Sequence, residues 1–240
     1  MLSRRSVLGL TAGSALILGA GSKLVNENQP DGLAVSESWA THDFCMDIRR
    51  HWELPADYRV RFNVGQDPRG VPDPRLSRPF DPEVERAIAK FYAIASVREF
   101  AIFPILFADL RESYEMCVGV KTLDDAYAAA RHAYRSAYTR ERLDELEDSE
   151  TQTMKDTVRY TTHFAMYSVE DAKSDEDQRV HNAGNYAARA LAQIENYYYE
   201  CGDTADQRSW IWDLALSTLA GALAIERSLM PEHSFARRWV

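Results

Sequence analysis

The sequence predicts an all-α bundle of about six helices, preceded by an export signal and a proline-rich extended arm. Three observations carry this. Apolar residues recur at helical spacing over most of residues 82–229, cap signals stand where those segments begin, and six of the nine prolines are confined to residues 54–82. Hydrophobic residues at 45% and charged residues at 27% sit near globular averages, which excludes a wholly disordered chain. At 240 residues there is enough chain for one sizeable core.

The N-terminus comes first. Ser3-Arg4-Arg5-Ser6-Val7-Leu8 is followed by a weakly apolar run over residues 9–21 and by the small residues Ala20-Gly21-Ser22. This arrangement resembles a twin-arginine export signal, and the resemblance covers residues 1–22. It implies translocation to the periplasm or the outside, with cleavage or with retention as an N-terminal tether. The apolar run of about 15 residues is short for a bilayer span. Removing Arg4, Arg5 and Lys23 leaves 25 basic against 37 acidic residues, a charge of −12. So acidic a surface repels phosphate backbones and excludes nucleic-acid binding as the main task. Residues 23–38, with Asn26, Asn28, Pro30 and Gly32, read as a linker.

Residues 39–53 read as a short helix with Phe44, Ile48 and Trp52 on one side. Asp43, Asp47 and His51 share the adjoining side. Their spacing could serve a metal, but a solvated helix face is the expectation, and no metal site is predicted. In residues 54–82 Tyr58, Val60, Phe62 and Val64 alternate with Arg59, Arg61 and Asn63, the period of a lone strand, here an extended arm. Arg59 and Arg61 belong to the most basic stretch of an acidic chain. They are candidates for an anionic group or an acidic partner, if they do not pair with the protein's own acids.

The organising element is residues 82–118. Asp81-Pro82-Glu83 supplies an Asp cap and Pro at the first helical position. Val84, Ile88, Phe91, Ala95 and Ile102 form its core stripe, and Ile94, Val97, Ala101, Phe103 and Phe107 make its other sides apolar. Arg98 and Glu99 fall within that stripe. A charge buried alone is costly, so each is expected to have a partner, either in an internal ion pair or in a site. Pro104 cannot donate to the carbonyl of Phe100, so a kink is expected near residues 100–104.

Thr122-Leu123-Asp124-Asp125 opens the next helix with a Thr cap and acids in its first turn. Tyr127, Ala130, Tyr134 and Tyr138 form a stripe, read as core with hydroxyls at the rim or as the wall of a pocket for a ring-bearing ligand. Further helices are expected over residues 151–172, with Met154, Val158, Ala165 and Val169 inward, and over residues 180–200. The last helix, residues 209–229, carries Asp213 among apolar neighbours. Asp213, Ser217, Gly221 and Ala224 form its strip of small side chains, where another element can come close. Cys117 and Cys201 end two helices in similar settings and read as free thiols or as a bridge between hairpins; with Cys45 the count is odd.

No nucleotide-binding glycine loop, serine-hydrolase elbow or zinc signature occurs, so the expected function is that of an exported, non-catalytic binding or accessory protein of the cell envelope. Its candidate binding residues are Arg59, Arg61, Arg98, Tyr127, Tyr134 and Tyr138. The alternative is a metal-dependent or acid/base enzyme with a site near the kink at Pro104, drawn from Glu99, His132, His163 and Asp213. His132, His163 and His181 lie on successive helices and could converge. The sequence does not name a cofactor. The expected partner is a protein or a small anionic or aromatic ligand, and membrane contact would run only through an uncleaved signal.

Overall fold

A computed structural model of the chain describes residues 38–51, 81–107, 111–138, 149–200 and 205–229. Among them every regular element is helical and there is no strand. The signal segment, the arm with Arg59 and Arg61, and Cys201 lie outside the described residues. The elements are α1 (Trp39–His51), α2 (Pro82–Ala95), a π-helical turn (Ser96–Phe100), α3 (Ile102–Phe107), α4 (Arg111–Val118), α5 (Leu123–Ala137), α6 (Ser149–Ala172), α7 (Asp177–Val180), α8 (Asn182–Glu200) and α9 (Ala205–Leu229).

α2 is the mast of the bundle. It starts where Asp81 accepts the backbone N–H groups of Glu83 and Val84, with Pro82 in the first turn, where its missing donor costs nothing. Val84, Ile88, Ala89, Tyr92 and Ala93 are buried, and α2 packs against α1, α5, α6, α7, α8 and α9. Burying each large apolar side chain contributes about 1.5–3 kcal/mol, so this one helix carries a large share of the core.

The break associated with Pro104 begins upstream of residues 100–104. Ser96–Phe100 is a π-helical turn in which the Ala101 N–H donates to the Ser96 carbonyl at 2.9 Å, and the α-helix resumes at Ile102. Pro104 then falls in the first turn of α3, where an intrahelical donor is not needed. Arg98 and Glu99 pair with each other at 2.5 Å. Glu99 is mostly covered, while the Arg98 side chain keeps 38% of its exposure. The pair is therefore local to one turn and does not tie α2 to another helix.

α5 begins with a reciprocal capping box between Thr122 and Asp125, and the hydrogen bonds from Thr122 hold the Asp125 carboxyl below its ordinary range. Alanines, not tyrosines, make its core face: Ala126, Ala129, Ala130, Ala133 and Ala137 are buried. α8 does the same with Ala183, Ala187, Ala188, Ala190 and Ala192. Such small faces let helices approach closely, and α6 with α8 forms the most extensive pair. At Gly184 of α8 the approach is so close that a Cβ would stand 1.9 Å from the Ala40 carbonyl oxygen of α1.

The acidic side of α1 is not a solvated face. Asp47 is buried and its Oδ2 accepts from Arg189 Nε of α8 at 2.7 Å, while Asp43 Oδ2 stands 3.8 Å from His181 Nε2. Asp47 thus meets α8 and Asp43 the residue just before it, where the Gly184 crossing brings that helix over α1. Cys45 and Cys117 are buried and neither is in a disulfide, so the bridge from Cys117 is not formed, and burial pushes the Cys117 thiol up to about 12. No helix among the described residues is long and apolar enough to cross a membrane.

Candidate functional site

Among the described residues, three clusters of polar or reactive side chains stand out in this packing. The first lies wholly inside, where α1, α2 and α9 meet. The Glu85 carboxylate accepts the backbone N–H groups of Trp39 at 2.5 Å and Ala40 at 3.1 Å, and the Ser38 hydroxyl at 3.3 Å. Burial, reinforced by the nearby carboxylate of Glu226, raises its pKa to about 7 against those hydrogen bonds. Tyr92 stacks on Phe44 and its hydroxyl lies by Thr41, without either oxygen completing a hydrogen bond of normal geometry. Burial, then Cys45, drives the Tyr92 phenol well above its usual range. The side chains of Ser38, Thr41, Glu85, Tyr92 and Glu226 are all buried, which suits a structural role.

The second joins α4 to α5. Ser113 Oγ lies 2.6 Å from His132 Nδ1, and His132 Nε2 lies 3.7 Å from Glu112 Oε1. The order serine, histidine, carboxylate has the composition of a nucleophilic triad, but its burial is the wrong way round. The Ser113 hydroxyl is fully buried, whereas the Glu112 side chain is 82% exposed. A substrate carbonyl cannot reach that hydroxyl, and an exposed carboxylate does not hold an imidazole in place.

The third cluster is the candidate site, a ring-lined face built by α5, α6 and α8. α5 contributes Tyr134 and Tyr138, one turn apart, their ring centroids 4.3 Å from each other. α6 contributes Arg159, His163 and Tyr167 at successive intervals of four, which places them on one side of that helix, with Phe164 beside them. α8 contributes Tyr186, 5.2 Å from Tyr167. His163 sits at the centre, with ring centroids of Tyr134, Tyr138, Phe164 and Tyr167 at 5.2, 6.0, 6.2 and 4.2 Å. These rings are half-buried, so their edges remain accessible.

One hydrogen bond orders the centre. The Tyr138 hydroxyl and His163 Nδ1 are 3.2 Å apart. Burial lowers the His163 pKa, with Arg159 acting in the same direction and Glu170 opposing, so the imidazole is neutral at pH 7. Burial raises the Tyr138 phenol, helped by Tyr134 and opposed by Arg159. The Arg159 guanidinium lies 5.0 Å from the Tyr138 ring centroid and 5.8 Å from that of Tyr160. At one end Arg189 stands 5.8 Å from the Tyr186 ring, and Tyr127 has Arg131 and Lys173 at 5.3 and 5.0 Å. Chemically the face can stack a planar ring, give or take one hydrogen bond and attract negative charge.

Of the sequence-derived candidates, Tyr134, Tyr138 and His163 come together here, while Tyr127 belongs to the flank with Lys173, which also pairs with Asp124. His132, His163 and His181 do not converge: His132 meets Ser113, and His181 packs edge-on against Trp39 at 5.2 Å. Glu99 and Arg98 satisfy one another at the kink, and Asp213 is on the exposed side of α9. No group of three His, Cys, Asp or Glu among the described residues is arranged to hold a metal. Arg159, Tyr167 and Tyr186 were not singled out from sequence, although the Arg159, His163, Tyr167 interval was there to be read. The chain matches no protein-family model, no curated protein and no solved structure at a significant level.

Proposed function

We propose that this chain is an exported helical binding protein of the cell envelope and that the ring-lined face around His163 takes its ligand. The observation that carries the reading is the concentration of five partly accessible rings about one neutral imidazole, in a bundle whose α5 core face is alanine and whose α8 core face is alanine-rich. Helix packing does not call for rings there. A site that holds a flat apolar ligand does, because aromatic side chains offer large contact area at little loss of conformational freedom. Arg59 and Arg61 enter the proposal on sequence grounds alone, as a contact for an anionic partner.

Ligand-observed saturation-transfer NMR with phenyl, phenol and indole compounds tests the binding reading. The full chain is expected to show transfer that Tyr138→Leu reduces. Absence of transfer, or transfer untouched by the substitution, counts against it. Export rests on the twin-arginine resemblance, and replacing Arg4 and Arg5 by Lys is expected to leave the protein in the cytoplasm. Continued export would remove that route from the account.

A further inference from the structure

We infer that the ligand of this face is a small aromatic carboxylate, its ring packed among Tyr134, Tyr138 and His163 and its anion bonded to Arg159. The inference rests on the binding reading above and specifies its chemistry.

Arg159 is the reason. Its Nε is buried and has no hydrogen-bond partner among the described residues, although the chain carries 37 acids to 28 lysines and arginines. A guanidinium donor withdrawn from water without an acceptor is costly. Several other cations in the bundle have such an acceptor: Arg98 has Glu99, Arg111 has Glu115, Arg179 has Asp171, Arg189 has Asp47 and Lys173 has Asp124. Arg159 instead lies against the faces of Tyr138 and Tyr160 and hydrogen-bonds the Tyr138 side chain, which holds the guanidinium in place beside the rings.

The neighbours suit an anion as well. His163 faces Tyr138 as a neutral ring, so it offers a stacking surface and adds no second charge. Arg131 beside Tyr127 adds positive charge further along α5, and Glu170 on α6 is the acid that opposes it near His163. A planar guanidinium recognises a planar carboxylate with two parallel hydrogen bonds, a geometry that a neutral amide cannot match with charge. A ring directly attached to that carboxylate, or one methylene away, is then placed against the tyrosines.

Isothermal titration of the full chain with benzoate and phenylacetate, against benzamide and benzyl alcohol, tests the inference. The carboxylates are expected to bind about tenfold or more tightly than the neutral compounds, the effect of one charge-assisted hydrogen-bond pair. Arg159→Gln is expected to abolish that preference, and Arg159→Lys to retain part of it. Equal affinities for carboxylate and amide on the wild-type chain overturn the inference and leave the ring-binding reading standing. If none of the four compounds binds, the ring-binding reading falls with it. The wild-type comparison needs no variant, so a variant that misfolds does not shield the inference.

Discussion

The Glu85 carboxylate accepts the backbone N–H of Trp39 at 2.5 Å, across a sequence separation of 46 residues. Because Ala40 N–H and Ser38 Oγ donate to the same carboxylate, one side chain of α2 caps the start of α1, a helix with no acid of its own in its first turn. The negative charge stands where the helix dipole favours it, yet burial makes that charge expensive. α1 is thereby fastened to the mast before it crosses α8 at Gly184.

A pH dependence follows. The folded Glu85 titrates at about 7, above its ordinary 4.5, so between those values the folded state binds a proton that the unfolded state does not. Stability from this group is greatest below pH 4.5, declines as pH rises towards 7 and is flat above; the whole change is about 3 kcal/mol. Urea unfolding of wild type and Glu85→Gln at pH 5 and pH 8 is expected to show the decline only in the wild type. Matching pH profiles in the two proteins would contradict it.

The two helix glycines make a contrasting pair. At Gly184 a Cβ meets backbone, 1.9 Å from the Ala40 oxygen, and neither helix can yield without moving. At Gly221 it meets the tip of the Phe91 ring at 2.7 Å, which can swing aside. Gly184→Ala is expected to cost about 3 kcal/mol or more, and Gly221→Ala to change stability by about 1 kcal/mol at most, helix propensity offsetting the crowding. Thermal unfolding separates them, and comparable losses would show that the α1–α8 approach is looser than described.

Ser113 is expected to be chemically inert. A fluorophosphonate that labels activated serines should leave the intact mass unchanged, and Ser113→Ala should lower stability by about 1 kcal/mol through its bond to His132. A stoichiometric adduct at Ser113 would restore the enzymatic alternative.

What could be read from sequence follows the range of the interactions involved. The Asp81-Pro82 start and the Thr122–Asp125 box are contained in four residues each, and both stand where expected. The disturbance tied to Pro104 was expected at residues 100–104 and begins at Ser96, because a helix absorbs a missing donor by widening the turn before it. Asp43 and Asp47 were misread as solvated, since their partners lie more than a hundred residues away, His181 just before α8 and Arg189 on it. Glu85 was missed for the same reason. At the candidate site Tyr134, Tyr138 and His163 were legible one by one. Their union depends on the α5–α6 packing, and the tyrosines flank the core only because alanine occupies the inward positions of α5.

The most direct test of the ring-lined face is aromatic NMR of the full chain carrying ¹³C-labelled Tyr and His, recorded while phenylacetate is added. The expected result is movement of the Tyr134, Tyr138, His163 and Tyr167 signals, with those of Tyr92 and His132 unchanged. Shifts confined to Tyr92 or His132, or no shift at any of these rings, would contradict the assignment of the binding face.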